Sequence, residues 1–189
     1  MKIGLYFGSF NPVHVGHLII AGYAAEHTDL DKVWLVVSPQ NPFKTENGLL
    51  NEYHRLHLVQ LAIDDDPRLR ASDVEFSLPR PSYTIDTLAY LREKYPQHEF
   101  ALVIGSDSLQ NLPRWKHGEQ IMREHDLYVY VRSGHPVSDN PGPRVKILQA
   151  PVLDISATAI RNNVRNGKSI RYLVPEQVRE EIERNSYYK

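Results

Sequence analysis

Two histidines near the start of the chain are the first residues with a chemistry to offer. They lie in Gly8-Ser9-Phe10-Asn11-Pro12-Val13-His14-Val15-Gly16-His17, which follows a short apolar run and leads into an apolar stretch with helical spacing. Gly8 permits a close backbone approach and Pro12 fixes one backbone angle of the turn. Gly16 and His17 fall at a helix start, where unpaired N–H groups and the helix dipole favour an anion. His14 and His17 are three residues apart, so two imidazoles in one first turn share a face. Such a pair can donate hydrogen bonds to phosphate oxygens. The plain alternative is a glycine turn carrying two solvated histidines. A tetrahedral zinc site needs three or four ligands, and neither a cysteine nor a third nearby histidine supplies them.

Two further clusters follow apolar runs. Ser156 is placed to cap a helix, and with Thr158 it offers hydroxyls at that helix start. Arg161, about one turn on, adds a planar fork of donors. A capped helix with a surface arginine is the alternative. The third cluster is Gly105-Ser106-Asp107-Ser108. Gly105 lets a ligand lie against the backbone, and Asp107 can accept from a ribose hydroxyl as acidic groups after strands do in nucleotide folds. A turn and helix cap is the competing reading. Trp115 can stack on a planar ring if exposed, and Lys44 can add a positive charge. His54 and His57 have no glycine turn or strand before them and read as helix-surface or partly buried residues, with Arg55 between them. The Asp64-Asp65-Asp66 run reads as a solvated helix end.

These residues need a scaffold that brings them to one edge. Apolar runs alternate with helical patterns, which predicts βα units around a parallel sheet. Strands are expected at 2–7, 32–38, 100–105, 127–131 and 145–148, with one or two short strands in 69–78. Helices are expected at 16–27, 51–63, 82–95, 115–123, 156–166 and 175–185. The run 100–105 is the most apolar and belongs in the middle of the sheet. The fold class is therefore α/β, a Rossmann-like doubly wound parallel sheet with helices on both faces and a short C-terminal helical segment. In such sheets ligands sit beyond the carboxyl ends of the strands. The 189 residues predict one domain, with a core over 1–150 and C-terminal helices over 151–189 carrying the second phosphate cluster.

Composition narrows the partners. The net charge is −1 with histidines neutral, so no global basic field favours nucleic acid, and phosphate binding has to be local. The absence of cysteine excludes disulfides, thiolate nucleophiles and cysteine-ligated zinc. No apolar run approaches the roughly 20 residues of a membrane span, and the N-terminus has no signal-peptide pattern. A cytoplasmic location is expected. Oligomeric state is not legible.

The motifs carry a family resemblance over essentially the whole chain. GSFNPVHVGH resembles the (H/T)xGH signature of the nucleotidyltransferase superfamily, and Ile155-Ser156-Ala157-Thr158-Ala159-Ile160-Arg161 resembles its C-terminal ISxTxxR motif. Between them, Ser82-Tyr83-Thr84-Ile85-Asp86-Thr87-Leu88 and Gly105–Leu109 with Trp115 look like the bacterial nicotinate mononucleotide adenylyltransferases. That family makes deamido-NAD and pyrophosphate from ATP and nicotinate mononucleotide. The resemblance implies catalytic roles for His14, His17 and Arg161. It implies ATP binding by Gly8, Ser9, Phe10, His14, His17, Lys44, Gly105, Asp107, Ser156, Thr158 and Arg161. It implies nicotinate mononucleotide binding by Ser9, Lys44, Thr84, Asp107 and Trp115. Mg²⁺ is implied as a cofactor held mainly by the ATP phosphates, with no protein metal site.

Two departures stand out. Asn11 occupies a position where the superfamily commonly has Asp, and little effect is expected. The segment Asn41-Pro42-Phe43 replaces a frequent Pro-Pro-His, which removes a histidine from that loop. Other readings keep the same first motif: transfer to nicotinamide mononucleotide or phosphopantetheine, cytidylyl transfer, a synthetase core, or a non-catalytic nucleotide sensor. The Ser82–Leu88 segment with Trp115 disfavours the phosphopantetheine and cytidylyl readings.

Overall fold

The computed structural model describes residues 1–39, 48–138, 141–151 and 153–189. Six parallel strands run β1 (Lys2–Gly8), β2 (Lys32–Val37), β3 (Leu69–Ser72), β4 (Glu99–Gly105), β5 (Leu127–Tyr130) and β6 (Val145–Leu148). They lie in the order β3-β2-β1-β4-β5-β6. Phe7 pairs with Val36 on one side of β1, and Leu5 with Leu102 on the other. The order reverses between β1 and β4, which opens a crevice at their carboxyl ends. As its apolar run predicts, β4 is a central strand.

Both faces of the sheet are covered, so the strands alternate between two cores and not between core and water. Val33, Leu35, Val37, Ala101 and Val103 face one core. There they meet α1 (Val15–His27), α2 (Glu52–Ile63), α6 (Ala157–Arg165) and α7 (Glu176–Arg184), through residues such as Ala21, Leu58, Ile160 and Val178. Ile3, Leu5, Val36, Leu102 and Ile104 face the other core. Leu88 and Leu91 of α3 (Thr84–Lys94) and Ile121 of α5 (Gly118–Glu124) cover it. The helix at the chain's far end therefore packs on the same face as the helix that opens with the two histidines. The backbone N–H of Val15 donates to the carbonyl of Leu173 at 3.0 Å, joining the two regions directly.

Three segments differ from expectation. Residues 69–78 form one strand followed by a 3₁₀ turn, Val74–Ser77. The turn closes through Phe76 N–H to Asp73 C=O and Leu78 N–H to Glu75 C=O, and it turns Glu75 inward, where it is 2 % exposed. The segment after β4 is a short helix, α4 (Ser106–Asn111), which ends in a 3₁₀ turn Leu112–Arg114. Trp115 then lies in extended backbone and not in a helix. Pro113 favours the tight turn, and α5 starts at Gly118, three residues later than Trp115, behind a left-handed His117. Gly118 is required at that start, because a Cβ there would lie 1.8 Å from the Leu112 carbonyl oxygen.

Candidate active site

The first histidine caps a helix and the second rides in its first turn. His14 is the N-cap of α1, with extended backbone, and its ring is buried. The two imidazoles stack with centroids 3.6 Å apart. The backbone N–H of His14 donates to Nδ1 of His17 at 3.3 Å. An accepting Nδ1 puts the proton of neutral His17 on Nε2. The His17 ring also packs edge-on against Phe10, with centroids 5.0 Å apart. Phe10 is 1 % exposed, so its ring is packed away beneath His17 and is not open to a ligand. Any contact of Phe10 with nucleotide is limited to its backbone.

A cavity of about 440 Å³ opens beyond the carboxyl ends of β1 and β4. Its wall includes Tyr6, His14, His17, Asp107, Arg132 and Ser156. All three clusters singled out in the sequence therefore reach one space. Ser156 caps α6 as expected, its hydroxyl accepting from the Ala159 N–H at 3.2 Å. Gly105 makes room on the opposite wall: a Cβ there would sit 2.4 Å from Asp107 Oδ1 and 2.9 Å from Arg132 Cδ. Asp107 Oδ2 accepts from Arg132 at 2.9 Å. Asp107 Oδ1 is buried and has no hydrogen-bond partner among the described residues, which leaves an acceptor oriented by its ion pair.

Arg161 is not part of the cavity wall. Its guanidinium donates to the Asn11 carbonyl at 2.8 Å and to Thr158 Oγ1 at 3.3 Å. The two distant motifs are thus hydrogen-bonded to each other in the protein itself. Thr84 and Trp115 belong to a second region on the α3 side of the sheet, and both are half-buried. Lys116 joins them, its ammonium 2.8 Å from Asp86 Oδ2 and 4.8 Å from the centroid of the Tyr83 ring. Gly8 and Ser9 lead from β1 into the first motif. Lys44 and its Asn-Pro-Phe loop lie outside the described residues.

Residues 5–163 match the cytidylyltransferase-like family. A Cytophaga hutchinsonii protein named "Probable nicotinate-nucleotide adenylyltransferase" is 57 % identical, over 100 % of this chain and 98 % of its own length. A Flavobacterium psychrophilum protein of the same name is 50 % identical over 100 % of both chains. The chain belongs to the nicotinate-nucleotide adenylyltransferases. Its fold matches the Plasmodium falciparum nicotinic acid mononucleotide adenylyltransferase complexed with NaAD, with a TM-score of 0.85 at 20 % identity over 99 % of this chain and 97 % of that one.

Within this adenylyltransferase, three residues were not picked out by motif reading. Arg132 follows β5 directly, at the same edge as the other clusters, so the strand-end rule could have found it. Arg55 is fully buried. It donates to the carbonyls of Leu50, Ser38 and Pro39 at 2.7, 2.8 and 3.2 Å, and to that of Ser9. Its signal was its place on the apolar stripe of α2 with Leu58, Val59 and Ile63, three, four and eight residues on. Glu75 carries no local signal, because the residues around it are of β type where the chain forms a 3₁₀ turn. Asn11 does more than shape a turn. Its amide donates to the Gly48 carbonyl at 3.2 Å, and its oxygen accepts from the Leu50 N–H at 3.2 Å. A carboxylate could not make the first of these bonds. His54 and His57 are exposed, as expected, with His57 facing Glu181 at 3.6 Å.

Burial, reinforced by the Arg132 guanidinium, pushes the His14 pKa down to about 4. His14 is therefore neutral at pH 7. The unfolded chain takes up this proton near pH 6.5 and the folded one only near 4, so stability falls as pH is lowered through that window. The loss attributable to His14 is on the order of 3 kcal/mol by pH 4. In urea titrations at pH 7.5, 5.5 and 4.2, His14→Asn should lose less stability than wild type on acidification. Parallel losses in the two proteins would remove this account of the buried imidazole.

Proposed function

We propose that the chain performs adenylyl transfer by direct in-line attack of the nicotinate mononucleotide phosphate on the α-phosphorus of ATP, in the cavity beyond β1 and β4. An oxygen of the mononucleotide phosphate bonds to that phosphorus. The bond from the α-phosphorus to the bridging oxygen of the β-phosphate breaks, and pyrophosphate leaves with the electron pair. The products are deamido-NAD and pyrophosphate. A phosphate monoester has a second pKa near 6 and is mostly dianionic at neutral pH, so the nucleophile needs no general base. What remains is to position the two phosphates and to stabilise charge as it moves.

Each residue then has a physical task. His17 offers an Nε2–H to a non-bridging oxygen of the α-phosphate, and His14 contributes as a neutral donor beside it. Ser156, Thr158 and Arg161 take the β- and γ-phosphates at the start of α6. Asp107, its carboxylate held by the Arg132 ion pair, accepts from a ribose hydroxyl. Gly8, Ser9 and Gly105 let nucleotide approach the backbone, and Lys44 adds positive charge. Thr84 and the Trp115 segment receive the nicotinate ring and its carboxylate. The observation that carries this reading is the convergence of His14, His17, Asp107 and Ser156 on one cavity from three separate parts of the chain.

Magnesium enters this proposal as part of the Mg·ATP substrate. Among the described residues no group of three or more histidine, aspartate or glutamate side chains is arranged to hold an ion. Phosphate oxygens and water satisfy the octahedral preference of Mg²⁺. No helix of the described residues is long and apolar enough to cross a membrane.

A pyrophosphate-release assay with ATP and each acceptor in turn tests the substrate assignment. Nicotinate mononucleotide should exceed nicotinamide mononucleotide in kcat/KM by about 10²-fold or more, because the two acceptors differ by a full charge at a site built to hydrogen-bond a carboxylate. Comparable efficiency with the two acceptors, or faster turnover of phosphopantetheine, would refute it.

A further inference from the structure

The buried carboxylate of Glu75 sits where the proposed mechanism makes no use of it, yet it touches both flanks of the segment proposed to receive nicotinate. Ser82 Oγ donates to Glu75 Oε2 at 2.9 Å, and Thr87 Oγ1 donates to Glu75 Oε1 at 2.9 Å. Both bonds are buried. Thr84, the first residue of α3, lies between these two anchors in sequence. We infer that Glu75 is a positioning residue for the acceptor substrate, its carboxylate clamping Ser82 and Thr87 so that the first turn of α3 is held where the nicotinate carboxylate docks. This rests on the reading that Thr84 and its neighbours hold that carboxylate.

The local geometry explains why a clamp is needed. α3 opens at Tyr83, whose extended backbone brings no capping side chain of its own. The Tyr83 carbonyl accepts from the N–H groups of Asp86 and Thr87. The N–H groups ahead of those, at Thr84 and Ile85, belong to the helix end that favours an anion. An uncapped first turn frays readily unless something outside the helix fixes it. Glu75 does so from the 3₁₀ turn after β3. Ser38, after β2, also reaches this carboxylate, and its N–H donates to the Gly8 carbonyl at 2.9 Å. The clamp therefore ties the acceptor region to the strand that leads into the first motif.

A charged group in this position is costly to bury, and burial raises its pKa against the hydroxyls that lower it. An apolar side chain of similar size would fill the same space at less cost. It would take the buried acceptor from Ser82, leave Thr87 only the Tyr83 carbonyl at 3.3 Å, and no longer tie the two hydroxyls together. Nicotinate and nicotinamide differ at a single substituent, so a displacement of the first turn by a fraction of an ångström falls on the contact that tells them apart.

The test is steady-state kinetics of Glu75→Leu, Glu75→Gln and Thr84→Val against wild type, with nicotinate mononucleotide and ATP varied separately. Glu75→Leu should raise KM for the mononucleotide by about 10-fold or more while KM for ATP stays within about 2-fold. Glu75→Gln, which keeps an acceptor and can donate back to Thr87, should recover most of the loss. If Glu75→Leu does not fold, Ser82→Ala removes one arm of the clamp and should show the same one-sided shift at about 3-fold. A mononucleotide KM raised by Thr84→Val but unmoved by Glu75→Leu or Ser82→Ala overturns the role of Glu75 and leaves the substrate reading intact. A mononucleotide KM unmoved by all of these variants overturns the substrate reading itself. Equal shifts for both substrates, or no recovery with Gln, reduce Glu75 to a purely structural residue.

Discussion

Replacing His17 with alanine should lower kcat for pyrophosphate release by about 10²–10³-fold, with only a small change in the urea midpoint. The size follows from what the ring can give. Its Nδ1 accepts from the His14 N–H, which commits the proton of the neutral ring to the other nitrogen. Stacking against His14 and the edge of Phe10 holds the plane of the ring. A donor fixed in this way needs no rearrangement when charge builds on the α-phosphate, and loss of one such donor is what the range above describes. Alanine at this position keeps the helix and removes a half-buried ring, so folding should lose about 1 kcal/mol. ATP binding, measured by calorimetry, should weaken far less than kcat, because the bond matters most when charge moves. A variant turning over within about 5-fold of wild type would remove His17 from the chemistry.

Much of this site is legible in the sequence, for a definite reason. The groups proposed to contact phosphate cluster at strand ends and helix starts, and those places have local signatures. Glycine and proline mark the turn before His14, serine marks the cap at residue 156, and the apolar run 100–105 marks the central strand. What could not be read is what holds these groups in register. Arg55 and Glu75 act across the chain, on carbonyls and hydroxyls whose proximity is created only by folding. Glu75 was further hidden because β-type residues continue past Ser72 into a segment that the structure closes as a 3₁₀ turn. Trp115 shows a milder form of the same difficulty: helical spacing was present, but Pro113 and the close approach at Gly118 cut it short. Phe10 inverts it, since its motif position suggested nucleotide contact while packing placed the ring beneath His17.

Arg55→Met should be the most destabilising single substitution considered for this protein, at about 3–5 kcal/mol. The side chain is fully buried, and its guanidinium serves carbonyls from three places: Ser9 after β1, Ser38 and Pro39 after β2, and Leu50 before α2. Methionine fills much of the volume but donates nothing, so several carbonyls lose a partner at once. With a urea m-value of about 2 kcal/mol/M, the midpoint should fall by about 2 M. Lysine should recover only part of this, because one ammonium cannot reproduce the span of a planar fork. The consequence for activity follows from the carbonyl of Ser9, which lies in the first motif between β1 and His14. Asn11 already latches that motif to Gly48 and Leu50, and Arg55 closes the same ring of contacts through Leu50. Freed from Arg55, the turn that presents His14 and His17 should drift, and kcat/KM for ATP should fall by about 10-fold even at temperatures where the variant is folded. A urea midpoint within about 0.3 M of wild type would show that the carbonyls find other partners, and with that the account of Arg55 as the anchor of the first motif would fail.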